Sequence, residues 1–353
     1  MTKRGELELT QTVAPAAAST LRVKRVNPLE HEADLKALMS ANGIEWFGDF
    51  FDRGYRALVA DGGASWVGFD HADRLQMNLT QFVHEFQFRG APLLAGTIGN
   101  VMVAPQYRTF FPAFALFRRM LSDTRDRAEL DFVYGDPTPG ATAVSQAVKM
   151  EQVGSLDRLV LPIADATLAR HIAARLFARA PFVLGDRSAP DVRCYGAAGS
   201  DLQGLESPLG PDDRLVPRHR LSMLRRRLHG FPGSNDFVVE LRWNAAATLW
   251  DALVLLRLAA DTRILSVLSV RRRSDIALRS VIPALPAVAR RLGAYRLQVE
   301  TVLESKMATE FRSLGFRARG DVLPIFVKPF SPAGHEAVRH VAEWELTALD
   351  VER

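Results

Sequence analysis

The chain has 353 residues, a net charge of +5, 48% hydrophobic and 24% charged residues, and one cysteine, Cys194. A single hydrophobic core stops growing at roughly 250–300 residues, so two domains are expected. The composition excludes a disordered or collagen-like chain, and one thiol excludes an internal disulfide or a cysteine-rich zinc site and fits a reducing compartment.

Only six of the 45 basic residues are lysines. Arginine forks onto phosphates and carboxylates, but 40 acidic residues are interspersed. The bias therefore reads as the codon usage of a GC-rich genome, not as a basic field for nucleic acid. The first 20 residues hold Lys3 and Arg4 but also Glu6 and Glu8, with no apolar run of the signal-peptide kind. The longest apolar run, 249–260, is broken by Asp251 and Arg257 and is too short to span a bilayer. A cytoplasmic protein without a membrane partner is expected.

After the leader, 21–26 reads as a strand, 31–40 as an amphipathic helix and 45–57 as an aromatic helix. Strands then dominate: 65–69, a long 76–88 and an apolar 93–103. Gly96 and Gly99 would weaken an ordinary strand and predict a bulge or a close backbone approach. A turn at 104–108 leads into a helix over 110–122, a strand at 131–134, a helix at 138–149 and a strand at 152–162. Next, 164–178 reads as helix and 181–211 as a linker rich in Gly, Pro, Ser and Asp. Residues 217–228 read as a basic helix, with Pro217 in its first turn and an apolar stripe of Leu221, Leu224 and Leu228. Strands 237–243, 249–258 and 263–270 follow, then helix 275–292, strand 295–302, helix 304–314 and strand 321–327. Residues 335–350 read as helix followed by strand. The second half thus repeats the closing order of the first. A local echo accompanies this, Val153-Gly154 with Leu161-Pro162-Ile163 against Arg319-Gly320 with Leu323-Pro324-Ile325.

Gly99-Asn100-Val101-Met102-Val103-Ala104-Pro105-Gln106-Tyr107-Arg108, followed by an apolar helix, resembles the central strand and turn of the GCN5-related N-acetyltransferase superfamily. Members show a hydrophobic strand, Val-x-Pro-x-Tyr-Arg, a glycine-rich turn and a helix. Phe132-Val133-Tyr134-Gly135-Asp136-Pro137 and Lys149-Met150-Glu151-Gln152-Val153-Gly154 resemble the next strand and turn and the junction into the last strand. Phe311-Arg312-Ser313-Leu314-Gly315-Phe316 is similar to a family helix ending in Leu-Gly-Phe, and Trp344-Glu345-Leu346-Thr347 to the end of some bacterial tandem versions. The resemblance covers 21–163 and 235–350. It implies a tandem α+β acyl-CoA N-acyltransferase fold, with mixed, mainly antiparallel sheets and a splayed central parallel pair in each. The divisions expected are a flexible leader 1–20, a unit 21–163 carrying the cofactor turn, a helical connector 164–234 and a second unit 235–353. It further implies transfer of an acyl group, acetyl foremost, from acetyl-CoA or another acyl-CoA to an amine or hydroxyl of a small-molecule acceptor, without a metal.

On this resemblance the donor would lie along Met102 and Val103, with its thioester near Thr97 and Asn100. Arg108, Thr109, Phe110, Phe111 and Ala113 would surround its pyrophosphate. A turn entering a helix offers free N–H groups and the positive end of the helix dipole. The chain departs from the family's Arg-x-x-Gly-x-Gly/Ala, because Phe111 stands at the first glycine and Pro112 removes an N–H donor. Ser145 and Phe311 stand where many members place a tyrosine acid. The nearest candidates for proton transfer are His84 and Glu85, adjacent on a strand and so on opposite faces, and Asp136 after the next strand, with Asn100 as a further catalytic candidate. Val270-Arg271-Arg272-Arg273-Ser274-Asp275 lies where a second phosphate turn would sit, and reads either as phosphate ligands or as a solvated turn.

Three functional classes stay open: an acyltransferase, including one served by an acyl carrier protein; a catalytically inactive binding or interaction module of the same fold; and a polyanion binder acting through 217–228. The chain contains no Gly-Lys-Ser/Thr phosphate loop and no Gly-x-Ser-x-Gly elbow, and its eight histidines lack metal-ligand spacing.

Overall fold

The structure, a computed structural model, describes residues 21–44, 51–163, 182–184, 190–197, 214–218, 224, 228, 234–243 and 250–348. A mixed sheet of fifteen strands runs through it. The first half builds β1 (Arg22–Val26), a 3-10 turn (Pro28–His31), α1 (Glu32–Ala41), a π-helical turn (Asp52–Arg56) continued by α2 (Ala57–Ala60), β2 (Ala64–Phe69), β3 (Leu75–Phe88) and β4 (Ala91–Val103). After them come α3 (Phe110–Arg127), β5 (Phe132–Gly135), α4 (Pro139–Ala147) and β6 (Glu151–Pro162). β1 to β4 pair antiparallel in chain order, and β5 joins β4 in parallel.

Short strands β7 (Phe182–Leu184), β8 (Asp191–Gly196) and β9 (Val216–Arg218) follow, then β10 (Ser234–Arg242), β11 (Ala252–Ala259) and β12 (Ile264–Arg272). The chain goes on through α5 (Leu278–Val281), α6 (Leu285–Arg291), β13 (Arg296–Val302), α7 (Lys306–Ser313), β14 (Arg317–Ala318), β15 (Leu323–Pro329) and α8 (Pro332–Arg339). β10, β11 and β12 are antiparallel neighbours, and β13 is parallel to β12. The order of pairing in the first half recurs here.

The halves exchange strands. β15 lies between β5 and β6 and is antiparallel to both. β6 in turn pairs with β13 over Leu156–Pro162. Each half's sheet is therefore completed by a strand from the other.

Local sequence accounts for most of these elements. α3 buries Leu116, Phe117, Met120, Leu121 and Thr124, a stripe at helical spacing. Strand alternation sends Asn78, Thr80, Phe82, His84 and Phe86 to one face of β3 and Leu79, Gln81 and Val83 to the other. Prolines 283 and 286 divide the helix read over 275–292 into α5, a 3-10 turn and α6. In the first half, α3 and α4 cover one face of the sheet with Trp66, Leu79, Ile98 and Val133. On the other face α1 and the π-helical turn cover Val67, Phe69 and Met102. Farther along that face, α8 and Trp344 cover Phe86, Phe132 and Tyr134.

Four expectations need correction. The stretch 181–211 holds two strands, β7 at the edge of the sheet and β8 between it and β10. Pro217 does not open a helix: Val216–Arg218 pairs with Glu85–Gln87 of β3. A short segment can pair with a sheet edge without showing any period of its own. Leu224 and Leu228 are buried as the stripe required, while Leu221 lies outside the described residues. Among the described residues no strand follows α8: a 3-10 turn (Val341–Glu343) leads to one parallel bridge between Trp344 and Leu215. Arg271 and Arg272 finish β12 and are buried, so the solvated turn is confined to Arg273–Asp275. The helix read over 164–178 and the aromatic residues 46, 47 and 50 lie outside the described residues. Cys194 is buried in β8, and burial pushes its thiol up to about 12, which suits a bystander.

Candidate active site

β4 and β5 pair in parallel only at Ala95–Phe132, Gly96–Val133 and Thr97–Tyr134. Beyond Thr97, β4 keeps β3 as its neighbour and turns alternate backbone groups into a widening gap. The ladder to β3 slips in the same region. Asn78 pairs with Met102 and Thr80 with Gly99, so Asn100 and Val101 together face Leu79. This is a β-bulge, and its residue Asn100 has φ 47°. Asparagine tolerates that left-handed conformation better than most side chains. The glycines of 93–103 foretold the bulge but do not themselves take the positive φ.

The gap opens toward α3. Thr109, at the helix start, is extended and makes no side-chain capping bond, so the amides of Phe110 and Phe111 lead the helix without a side-chain acceptor. Pro112 is buried at the third helical position and supplies no N–H. Phe111 does not fill the turn: it is 67% exposed, edge-on to Phe110, which stacks on Phe114. Ala113 packs against the α3 core. Arg108 is exposed and turned back, with Nη2 donating to Asn42 Oδ1 at 2.8 Å and Nε to the Val103 carbonyl at 3.3 Å. The candidates Met102, Val103, Arg108, Thr109, Phe110, Phe111 and Ala113 are thus contiguous along one edge of the gap.

The proton-transfer candidates on β3 lie elsewhere. His84 is level with Ala95, and Glu85 is level with Leu94 and Arg218. Glu85 therefore sits about 10 Å below the parting at Thr97, and His84 about 7 Å below it, at roughly 3.3 Å per residue. His84 is buried edge-on to Phe86, and Glu85 is half-buried on the opposite face. The structure does not bring either of them to Asn100.

A polar file does meet the bulge. Asn78 Nδ2 donates to the Asn100 carbonyl at 2.8 Å and to Thr80 Oγ1 at 3.1 Å, and Thr80 and Ser65 share a bond of 3.2 Å. Tyr55, from the π-helical turn, is buried over this file and stacks on Phe51 at 4.6 Å. Burial holds its hydroxyl above the usual tyrosine pKa, while Thr80, Asn100 and Asn78 around it act in the opposite sense. Sequence reading passed over Tyr55 because an aromatic residue in an aromatic helix reads as packing.

The second half repeats this geometry and fills it. β12 and β13 pair in parallel only from Ile264–Arg296 to Val267–Val299, and Leu268 bulges opposite Leu255 and Leu256. Here the Leu268 carbonyl accepts from Thr347 Oγ1 at 2.5 Å. Glu345 is clamped by Arg272 at 2.6 Å and Arg214 at 2.8 Å. Glu310 accepts from the Arg279 amide at the start of α5, at 2.9 Å. Arg273 is held by Asp251 and Asp275. Arg272 and Arg273, two of the three arginines read as phosphate ligands, are therefore committed to this chain's own carboxylates, and Arg271 is buried at the end of β12. The pocket beside them, about 360 Å³ and lined by Arg214, Arg272, Lys306, Glu310 and Glu345, carries mixed charge.

No helix among the described residues is long and apolar enough to cross a membrane. No family model matches the sequence, and no curated protein matches it. Solved structures do match. A probable N-acyltransferase from Enterococcus faecalis aligns with a TM-score of 0.63 at 14% identity, over 90% of this chain and 74% of that one. A tandem GNAT protein from the clavulanic acid biosynthesis pathway aligns with a TM-score of 0.52 at 12% identity, over 88% of this chain and 99% of that one. N-myristoyltransferase from Saccharomyces cerevisiae, solved with bound myristoyl-CoA, aligns with a TM-score of 0.53 at 9% identity, over 98% and 90%. At these identities the likeness is one of fold.

Proposed function

From its tandem GCN5-related N-acetyltransferase (GNAT) fold, we propose that the protein is an acyltransferase, moving an acyl group, acetyl foremost, from a CoA thioester to an amine or hydroxyl of a small-molecule acceptor. The donor site is assigned to the first unit, 21–163, with 164–234 as connector and 235–353 as a supporting unit. One observation carries the reading: the β4–β5 gap runs from a bulge at Asn100 to an α3 start that no side chain caps, whereas the matching gap in the second half is occupied by Thr347 and its helix start by Glu310. The neighbours' names, with acyl-CoA bound in one of them, support the donor class.

In this reading the backbone of β4 aligns the pantetheine arm beside Met102 and Val103. The Phe110 and Phe111 amides and the dipole of α3 hold the pyrophosphate, with Arg108 available to swing onto it. The acceptor's lone pair attacks the thioester carbon, the C–S bond breaks, and the sulfur leaves with the proton the acceptor gives up. Fixing both reactants in line contributes most of the acceleration. His84 and Glu85 stay proposals for proton relay at the lower end of the sheet, in each case by way of water.

Pro112 favours a second reading, because it removes one donor from the phosphate cradle. A donor with a single phosphate, such as the phosphopantetheine arm of a carrier protein, asks less of that cradle, and an inactive binding module asks nothing of it. Melting curves with CoA, acetyl-CoA, longer acyl-CoAs and an acyl-phosphopantetheine separate the three. A ligand at 100 times its Kd adds about 2.7 kcal/mol. A shift with acyl-CoA supports the main reading, and a shift with acyl-phosphopantetheine alone supports the carrier donor. A melting temperature that none of the four moves overturns both.

A further inference from the structure

The two strands that frame the donor gap touch once more before they part. Ile98 of β4 and Gly135 of β5 stand one residue beyond Thr97 and Tyr134, the last pair of their parallel ladder. A Cβ built on Gly135 would lie 3.3 Å from Ile98 Cβ and 3.6 Å from the Ile98 carbonyl oxygen. Side chains level with each other on neighbouring strands stand farther apart than this, so the contact asks for glycine. On its other side Gly135 pairs with Phe326 of β15. Ile98 and Phe326 belong to one core cluster with Val133 and Val144, under α3 and α4, and so lie on the same face as the bare glycine. On the opposite face Thr97 and Tyr134 are 0% and 1% exposed. The inner end of the gap is therefore shut on both faces.

We propose that the Ile98–Gly135 contact sets the length of acyl chain this protein accepts, admitting an acetyl or propionyl group and turning longer chains away. The inference rests on the acyltransferase reading and names the acyl class of its donor. In that reading the pantetheine arm runs down β4 from the α3 start, past Val103 and Met102, and the thioester stops beside the bulge at Asn100. Asn100 stands two residues above Ile98, about 7 Å along the strand at roughly 3.3 Å per residue. A short acyl group fits within that distance. A longer one, continuing in line, meets Ile98 with the core under α3 and α4 packed behind it. Close-packed interiors yield little, so each methylene past the contact must displace core atoms or draw the thioester away from the bulge. Ile98 is the part of this stop that can be trimmed, because Gly135 has no side chain to shorten.

The test needs no acceptor. Titration calorimetry on the full chain measures Kd for CoA and for acetyl-, butyryl-, hexanoyl- and octanoyl-CoA, in the parent, Ile98→Val and Ile98→Ala. The parent is expected to bind hexanoyl- and octanoyl-CoA at least tenfold more weakly than acetyl-CoA. A methylene that finds buried room tightens binding about fourfold. Ile98→Ala, which clears several carbons from the stop, is therefore expected to improve hexanoyl-CoA relative to acetyl-CoA by about tenfold or more. Ile98→Val, a milder change to the core, should move the same ratio in the same direction by a few fold, and it carries the test if Ile98→Ala fails to fold. A residue that only packs would change all five affinities by one common factor. A parent that binds octanoyl-CoA as tightly as acetyl-CoA overturns the proposal and leaves the acyltransferase reading standing. So does a parental ratio of hexanoyl-CoA to acetyl-CoA in the folded variants. A parent with no affinity for CoA or any of its thioesters strikes instead at the donor reading beneath it, and the proposal falls with that reading.

Discussion

Arg108 reaches back from the candidate phosphate turn to Asn42, its Nη2 donating to Asn42 Oδ1 at 2.8 Å. Asn42 ends α1, and its side-chain Nδ2 donates to the Leu38 carbonyl at 2.8 Å. The turn is thereby tied to the helix that covers the opposite face of the sheet. If Arg108 serves a phosphate, it must first leave Asn42. A hydrogen bond of this kind is worth about 1 kcal/mol net, so Asn42→Ala is expected to tighten CoA binding about threefold to tenfold and Arg108→Ala to weaken it about tenfold. Titration calorimetry checks both. Equal affinity for Asn42→Ala and parent would remove Arg108 from the phosphate site.

Pro112 withholds one N–H from the start of α3. Hydrogen bonds to charged groups contribute about 1.5–3 kcal/mol. Pro112→Ala restores the donor at a position already helical, and is expected to tighten CoA binding by about tenfold or more. A binding constant unchanged by this substitution would place the pyrophosphate elsewhere.

Glu345 is buried between Arg214 and Arg272. Removing its charge leaves Arg272, itself buried, without compensation. Breaking such a buried pair costs about 3–5 kcal/mol. Glu345→Gln should lower the denaturant midpoint accordingly, with little effect on acyl-CoA binding in the first unit. Loss of CoA binding in a folded Glu345→Gln protein would show that the second cleft is not merely supporting.

Asp70 organises the turn between β2 and β3, accepting from the amides of Ala72 and Arg74 at 2.9 and 3.0 Å, from Arg74 Nε at 2.9 Å and from Gln76 Nε2 at 3.1 Å. Burial alone would raise its pKa, but the Arg74 amide and guanidinium and the Ala72 amide hold it below the ordinary carboxylate value. A depressed folded pKa stabilises the protein above the unfolded value near 3.8, and that stabilisation is lost as pH falls through the folded value. Asp70→Asn should flatten the acid limb of stability against pH below about 4 and lower the denaturant midpoint at neutral pH. An unchanged acid limb would show that Asp70 does not contribute to it.

Much of the first half was readable from local pattern. Periodicity placed β3, β4 and α3, and Gly96 and Gly99 announced an irregular central strand. Pairing between distant segments leaves no such mark. Nothing in residues 323–329 tells that they lie beside β5, and nothing in 216–218 tells that they pair with Glu85. Arg272 pointed to phosphate because its carboxylate partner, Glu345, stands 73 residues beyond it. Tyr55 was illegible for another reason: its place over the polar file depends on a π-helical turn, which hydrophobic spacing does not encode.

The exchange of β6 and β15 has a consequence for biogenesis. As the chain leaves the ribosome, the first half emerges with an empty slot between β5 and β6 that only residues near 325 can fill. Until then it displays raw strand edges, the feature that invites pairing with the wrong chain. Native assembly therefore has to wait for nearly the whole polypeptide. A nascent chain arrested before Leu323 should be more protease-sensitive and more dependent on chaperones than its length alone would suggest.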